Sequence, residues 1–129
     1  MRPFTEPDVA VWLDRAESDR QAADTLAATR NPVLAGIIGF HCQQEAEKLI
    51  KGTMVRLGIP PPRMHDLVQL VESLSAALPG SEKLREAARL LTPMAVLPRY
   101  PGPDIMTLDD ADEAMRCALE IRTFLLEQD

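Results

Sequence analysis

Aromatic side chains are scarce. Three Phe, one Tyr and one Trp make up 4% of 129 residues. A core built from this chain must rest on aliphatic and alanine packing rather than on large rings. Cysteine is equally rare, and Cys42 and Cys117 stand 75 positions apart. They form no CxxC or other metal spacing, and one conceivable pair is a poor disulfide framework, so reduced, buried thiols in a cytoplasmic protein are expected. The two histidines, His41 and His65, belong to neither an HExxH nor a Glu-x-x-His pair, so neither a metal site nor a cofactor is expected. No apolar run approaches the ~20 residues that span a bilayer. Residues 1–6 carry no apolar stretch behind their charge. Neither a membrane association nor a secretory signal is expected. A surplus of positive charge is lacking too: the net charge is −6. Residues 1–102 balance 12 acids against 12 bases, and the last 27 residues hold 8 acids against Arg116 and Arg122. An acidic chain is a poor stand-alone binder of nucleic acid, since phosphate neutralisation supplies most non-specific affinity. DNA is not an expected partner, while the balanced first part leaves room for a local basic patch.

What is present is helical periodicity. Hydrophobic residues are 46% and charged residues 26% of the chain, the composition of one globular domain over residues 1–129. Val9, Trp12, Leu13, Ala16, Ala23, Leu26 and Ala27 share one face of a first helix over about 7–28, with Thr5 as its cap. Asn31-Pro32 opens a second helix that runs to about residue 57 and stops at Gly58. Three prolines at 60–62 make a stiff connector. Asp66 caps a third helix ending near residue 78, with Gln69 completing a capping box. Ser81 caps a fourth over about 82–91, and Thr92-Pro93 weakens its end. Residues 98–104 read as a rigid loop. Thr107 and Asp110 cap a fifth helix, which turns Ala111, Ala114, Met115, Ala118, Ile121 and Leu125 inward. The acids crowding its first turn suit the helix dipole better than they suit a metal. No segment alternates like a strand. The expected fold is all-α: an antiparallel four-helix up-and-down bundle with an additional short helix.

The second helix holds the unusual residues. At 100° per residue, His41, Gln44, Glu45 and Lys48 fall within roughly a 100° arc, opposite Ile38, Cys42, Ala46, Leu49, Ile50 and Thr53. Gly36 and Gly39 permit close approach by a neighbour. The stripe is either a solvated face, with Glu45 and Lys48 as an i,i+3 pair worth ~0.2–0.5 kcal/mol, or a partly buried polar network. His65-Asp66 and Arg99-Tyr100 lie at ends of elements, from which they could converge on this helix. Asp66 reads first as a cap, or as a partner of His65 or Arg99. Arg99 reads either as a bidentate fork for a phosphate or as a structural partner of Glu45.

The string Phe40-His41-Cys42-Gln43-Gln44-Glu45-Ala46-Glu47-Lys48-Leu49-Ile50-Lys51-Gly52 resembles the central helix of the HEPN family. Trp12-Leu13-Asp14-Arg15-Ala16-Glu17-Ser18-Asp19 resembles its first helix. Gly58 to Leu67 resembles its loop into the third, and Arg99-Tyr100-Pro101-Gly102 its late loop. The resemblance spans about residues 8–126. It implies a helical bundle, usually a homodimer, often paired with a minimal nucleotidyltransferase as a toxin–antitoxin system. Active toxins of the class are metal-independent ribonucleases in which four to six residues separate an Arg from a following His. Here those positions hold Asp104, Ile105 and Met106 after Arg99, and Val68, Gln69 and Leu70 after Arg63. The resemblance thus points to nucleotide or RNA binding rather than conventional cleavage. The expected binding residues are His41, Gln44, Lys48, His65, Arg99 and Tyr100, with Glu45 and Asp66 as structural polar groups. A ribonuclease with a displaced active site and a non-catalytic dimeric interaction domain are the alternatives.

Overall fold

A computed structural model describes residues 6–95 and 106–128. The anticipated cap Thr5 and the loop over 98–104, with Arg99 and Tyr100, lie outside the described residues. Five α-helices follow in order: α1 (Glu6–Ala28), α2 (Ala35–Arg56), α3 (Leu67–Ser75), α4 (Arg85–Leu91) and α5 (Leu108–Leu126), with no strand among the described residues. The expected all-α bundle stands, but its helices are less even than anticipated. Three are long and two are short. A 3-10 turn over Pro32–Leu34 precedes α2, a second over Ser81–Leu84 precedes α4, and a third over Thr92–Ala95 follows it.

Local chemistry explains these boundaries. The Asn31 side chain accepts from the Val33 amide and so caps the 3-10 turn rather than α2 itself. Gly58 follows α2 at φ 80°, a left-handed backbone that glycine adopts without strain. The Asp66 carboxylate accepts from the amides of Val68 and Gln69, and α3 stops three residues short of the expected 78. Ser81 does not cap a helix: its hydroxyl donates to the Leu78 carbonyl at 2.7 Å, and Gly80 at φ 90° turns the chain into the 3-10 segment. Thr92 joins two elements, donating to the Ala88 carbonyl and accepting from the Leu67 amide. The Thr107–Asp110 capping box forms in full.

The core lies between α2, α3, α4 and α5. Ile38, Ile50, Leu67, Leu70, Leu74, Leu84, Leu91 and Ile121 are all completely buried, each worth roughly 1.5–3 kcal/mol of hydrophobic burial. α2 is the central rod, in contact with every other helix. Against α1 its interface has a different character. α1 presents Trp12, Ala16, Asp19 and Ala23 at alternating four- and three-residue spacing, and Ala16, Asp19 and Ala23 are buried. It therefore meets α2 through small and polar groups. At Gly52 the helices come so close that an added Cβ would stand 2.9 Å from the Cβ of Trp12. Trp12 lies near the start of α1 and Gly52 near the end of α2, which makes the pair antiparallel.

Candidate functional site

The polar stripe of α2 is covered rather than solvated. α1 lies along it, and the connector after the three prolines closes its other edge. Two buried carboxylates organise the groups between them.

The first is Asp19 of α1, 8% exposed. Its Oδ1 accepts from His41 Nδ1 at 2.9 Å, and its Oδ2 from Lys48 Nζ at 2.5 Å. His41 and Lys48 are seven residues apart on α2, two turns along the same face. The His41 ring also meets Phe40 edge-on, with centroids 5.5 Å apart.

The second is Glu47, 6% exposed. Both its oxygens lie 3.0 Å from His65 Nδ1, and Oε2 accepts from Lys51 Nζ at 3.1 Å. Gln43 Nε2 reaches Glu47 Oε1 and the His65 carbonyl, both at 3.4 Å. Gln44 Nε2 donates to Gln43 Oε1 at 2.9 Å, extending the network by one residue. Gln43, Glu47 and Lys51 form an i,i+4 series down one side of α2. The His65 side chain remains 76% exposed. With Nδ1 turned to the carboxylate, its Nε2 faces outward.

Glu45 belongs to a third arrangement. Arg122 of α5 grips it with Nε at 2.6 Å and Nη2 at 3.2 Å. The anticipated link of Glu45 with Lys48 is thus replaced: Lys48 goes to Asp19 and Glu45 to Arg122, while the anticipated link with Arg99 lies outside the described residues. Burial pushes the Glu45 carboxyl above its ordinary range, although the hydrogen bond and charge of Arg122 pull it down. Asp66 faces neither His65 nor an arginine as its main duty, since its carboxylate caps α3. No buried side-chain polar atom lacks a hydrogen-bond partner among the described residues.

His41, Gln44, Lys48 and His65 are therefore gathered around the middle of α2, but on two neighbouring carboxylates rather than in one pocket. The organising residues Asp19, Gln43, Glu47 and Arg122 were not singled out from the sequence. A signal existed for two of them: Asp19 occupies an inward position in the 12-16-19-23 register of α1, and Glu47 sits one turn from both Gln43 and Lys51.

Beside the Glu47 network a cleft of about 440 Å³ opens between the first half of α1, the end of α2 and the proline connector. Trp12, Val11, Val55, Pro61 and Pro62 give it apolar walls, and Arg15, Lys51, Arg63 and Asp8 bring charge. Among the described residues, no cluster of three or more His, Cys, Asp or Glu could hold a metal ion, and no helix is long and apolar enough to cross a membrane. Cys42 and Cys117 are free and buried. Burial drives the Cys42 thiol up to about 12, and its sulfur lies 3.5 Å from that of Met115.

The structure is similar to two solved ones. TT1696 from Thermus thermophilus superposes with a TM-score of 0.73 at 25% identity, covering 92% of this chain and 96% of that one. ST0689, an archaeal HEPN homologue, gives a TM-score of 0.73 at 26% identity, covering 92% and 94%. No curated protein matches the sequence. The HEPN domain matches residues 9–128, nearly the whole length. A helical bundle with these relatives and this match leaves one assignment: the chain belongs to the HEPN domain family.

Proposed function

We propose that this HEPN protein binds a nucleotide or RNA as a cytoplasmic homodimer, and that it acts with a minimal nucleotidyltransferase in a toxin–antitoxin-type pair. The observation that carries the reading is the covered stripe of α2. His41, Gln44, Lys48 and His65 are held by buried acceptors instead of ranging through solvent, so their donors are pre-oriented, and little side-chain entropy remains to be lost on binding. Cationic and imidazole donors of this kind suit phosphate and base edges. Arg99 and Tyr100 belong to the proposed binding set by their place in the sequence. The absence of Arg-to-His spacing favours binding over conventional cleavage.

The test has two arms. Co-expression with an adjacent nucleotidyltransferase should yield a complex that survives gel filtration. The purified protein should bind nucleotide or short RNA at moderate salt, with Lys48→Ala and His65→Ala weakening it. The absence of both the complex and the binding would remove the proposal.

One observation favours a second reading. His65 shows its outer nitrogen to solvent while the buried Glu47 fixes the inner one, an arrangement that orients an imidazole for proton transfer. A metal-independent ribonuclease using it should cleave RNA in excess chelator and lose that activity in His65→Ala. Equal cleavage by both proteins would exclude the role.

A further inference from the structure

We infer that the cleft between α1, the end of α2 and the proline connector is a binding site for a single nucleoside monophosphate unit. The inference rests on the nucleotide-binding reading above, but it places a phosphate outside the α2 stripe: none of His41, Gln44, Lys48 and His65, the expected binding residues among the described ones, lines this cleft.

The walls suit such a ligand. Trp12 offers a ring face, and Val55 and Pro61 extend the apolar surface beside it. A base has a π-face that stacks on an aromatic side chain whatever its identity. The volume of about 440 Å³ falls in the lower part of the roughly 300–1,000 Å³ range of small-molecule sites. It is room enough for one nucleotide.

The charges suit a phosphate. Arg15 and Arg63 approach from two different elements, and neither meets a carboxylate among the described residues. Their planar forks are therefore available for bidentate contact with phosphate oxygens. Lys51 is already neutralised by Glu47, and Asp8 brings one negative charge. Two arginine forks beside an already neutralised lysine suit one terminal phosphate better than the larger charge of a triphosphate.

Gly52 fixes the geometry. It lets α1 press onto α2 at Trp12, so the indole is anchored at its Cβ rather than swinging on a loose helix. The stiff connector holds Arg63 opposite.

Trp12 is the single tryptophan of the chain, so its fluorescence reports the cleft alone. The probes are adenosine 5′-monophosphate, adenosine, and a 5′-phosphorylated tetraribonucleotide, followed by Trp12 emission and by equilibrium dialysis. The monophosphate should bind saturably and shift the emission, and adenosine should bind at least about tenfold more weakly. Arg15→Gln and Arg63→Gln, both at exposed positions, should each weaken binding by about tenfold, while Arg116→Gln, on the exposed side of α5, leaves it within twofold. A tetranucleotide that binds as well as the monophosphate supports recognition of an RNA end. A tetranucleotide that fails where the monophosphate succeeds supports a free nucleotide. Saturable binding that is unchanged in Arg15→Gln and Arg63→Gln and lost in Lys48→Gln would overturn this placement and leave the nucleotide-binding reading standing. Dialysis that finds no binding by any probe would overturn both.

Discussion

Arg122 and Glu45 join α5 to α2 with an ion pair in which the carboxylate is 2% exposed. Removing one member of a buried pair strands the other. Arg122→Met should therefore cost about 3–5 kcal/mol in denaturant unfolding, whereas Glu45→Leu combined with Arg122→Met should recover most of that loss. The pair also sets a pH dependence. Burial raises the Glu45 carboxyl in the folded state above its ordinary value of 4.5. The folded chain then holds the proton more tightly than the unfolded one. That contribution is fully present below the ordinary value and is lost as pH rises through the raised one. Measured against Glu45→Gln, the parent protein should lose stability as pH climbs above about 4.5, a trend read from chemical melts at several pH values. Cys42 gives a second residue-scale expectation. A buried thiol pushed up to about 12 has almost no thiolate near neutrality. Alkylation should label it only at the rate of unfolding, and labelling of the native protein within minutes would contradict its burial. The thiols could be read from the sequence, because two isolated cysteines on apolar faces have few alternatives. The partner of Glu45 could not, because any of several arginines can reach a helix stripe and only packing decides which one does.

Two glycines of α2 separate packing from propensity. A methyl group at Gly52 would strike the Cβ of Trp12 at 2.9 Å, an atom that cannot move without α1. At Gly39 it would meet Met106 Cε at 2.9 Å and Met94 Sδ at 3.1 Å, the pliable ends of thioether side chains. Alanine gains up to about 1 kcal/mol of helix propensity over glycine in both places. Gly39→Ala should thus be near neutral in thermal melts, and Gly52→Ala should destabilise by about 1–3 kcal/mol through overpacking. The close approach at Gly39 was legible, since glycines early in a helix invite it. The one at Gly52 was hidden, because its neighbour is fixed by the antiparallel register of α1. Helix ends tell the same story. Caps built from adjacent residues, such as Asp66 and Thr107, could be read directly. The 3-10 entry to α4 depends on the turn at Gly80 and on Ser81 bonding backward to Leu78, so a local capping rule misplaced it.

At the scale of the whole molecule, the bundle was legible because its apolar positions repeat with the helical period in every long segment. The site was legible only in part. Which side chains were polar could be read from α2, but their division between Asp19 and Glu47 follows from how α1 and the connector dock. The central position of α2 predicts cooperativity. Ile50→Ala removes a fully buried side chain and should cost about 2–5 kcal/mol. Far-UV circular dichroism and Trp12 emission should still report one coincident transition, since α1 has little to hold it apart from α2. The region around α4 should behave differently. Its seven α-helical residues are bracketed by two short 3-10 turns, whose hydrogen bonds have poorer geometry. Thr92, in the later turn, supplies the acceptor for the Leu67 amide at the start of α3. When residues 92–95 breathe, that amide is released at the same moment. Deuterium uptake at Leu67 should therefore keep pace with the 92–95 backbone, a distant stretch of chain, and run ahead of its own neighbours deeper in α3.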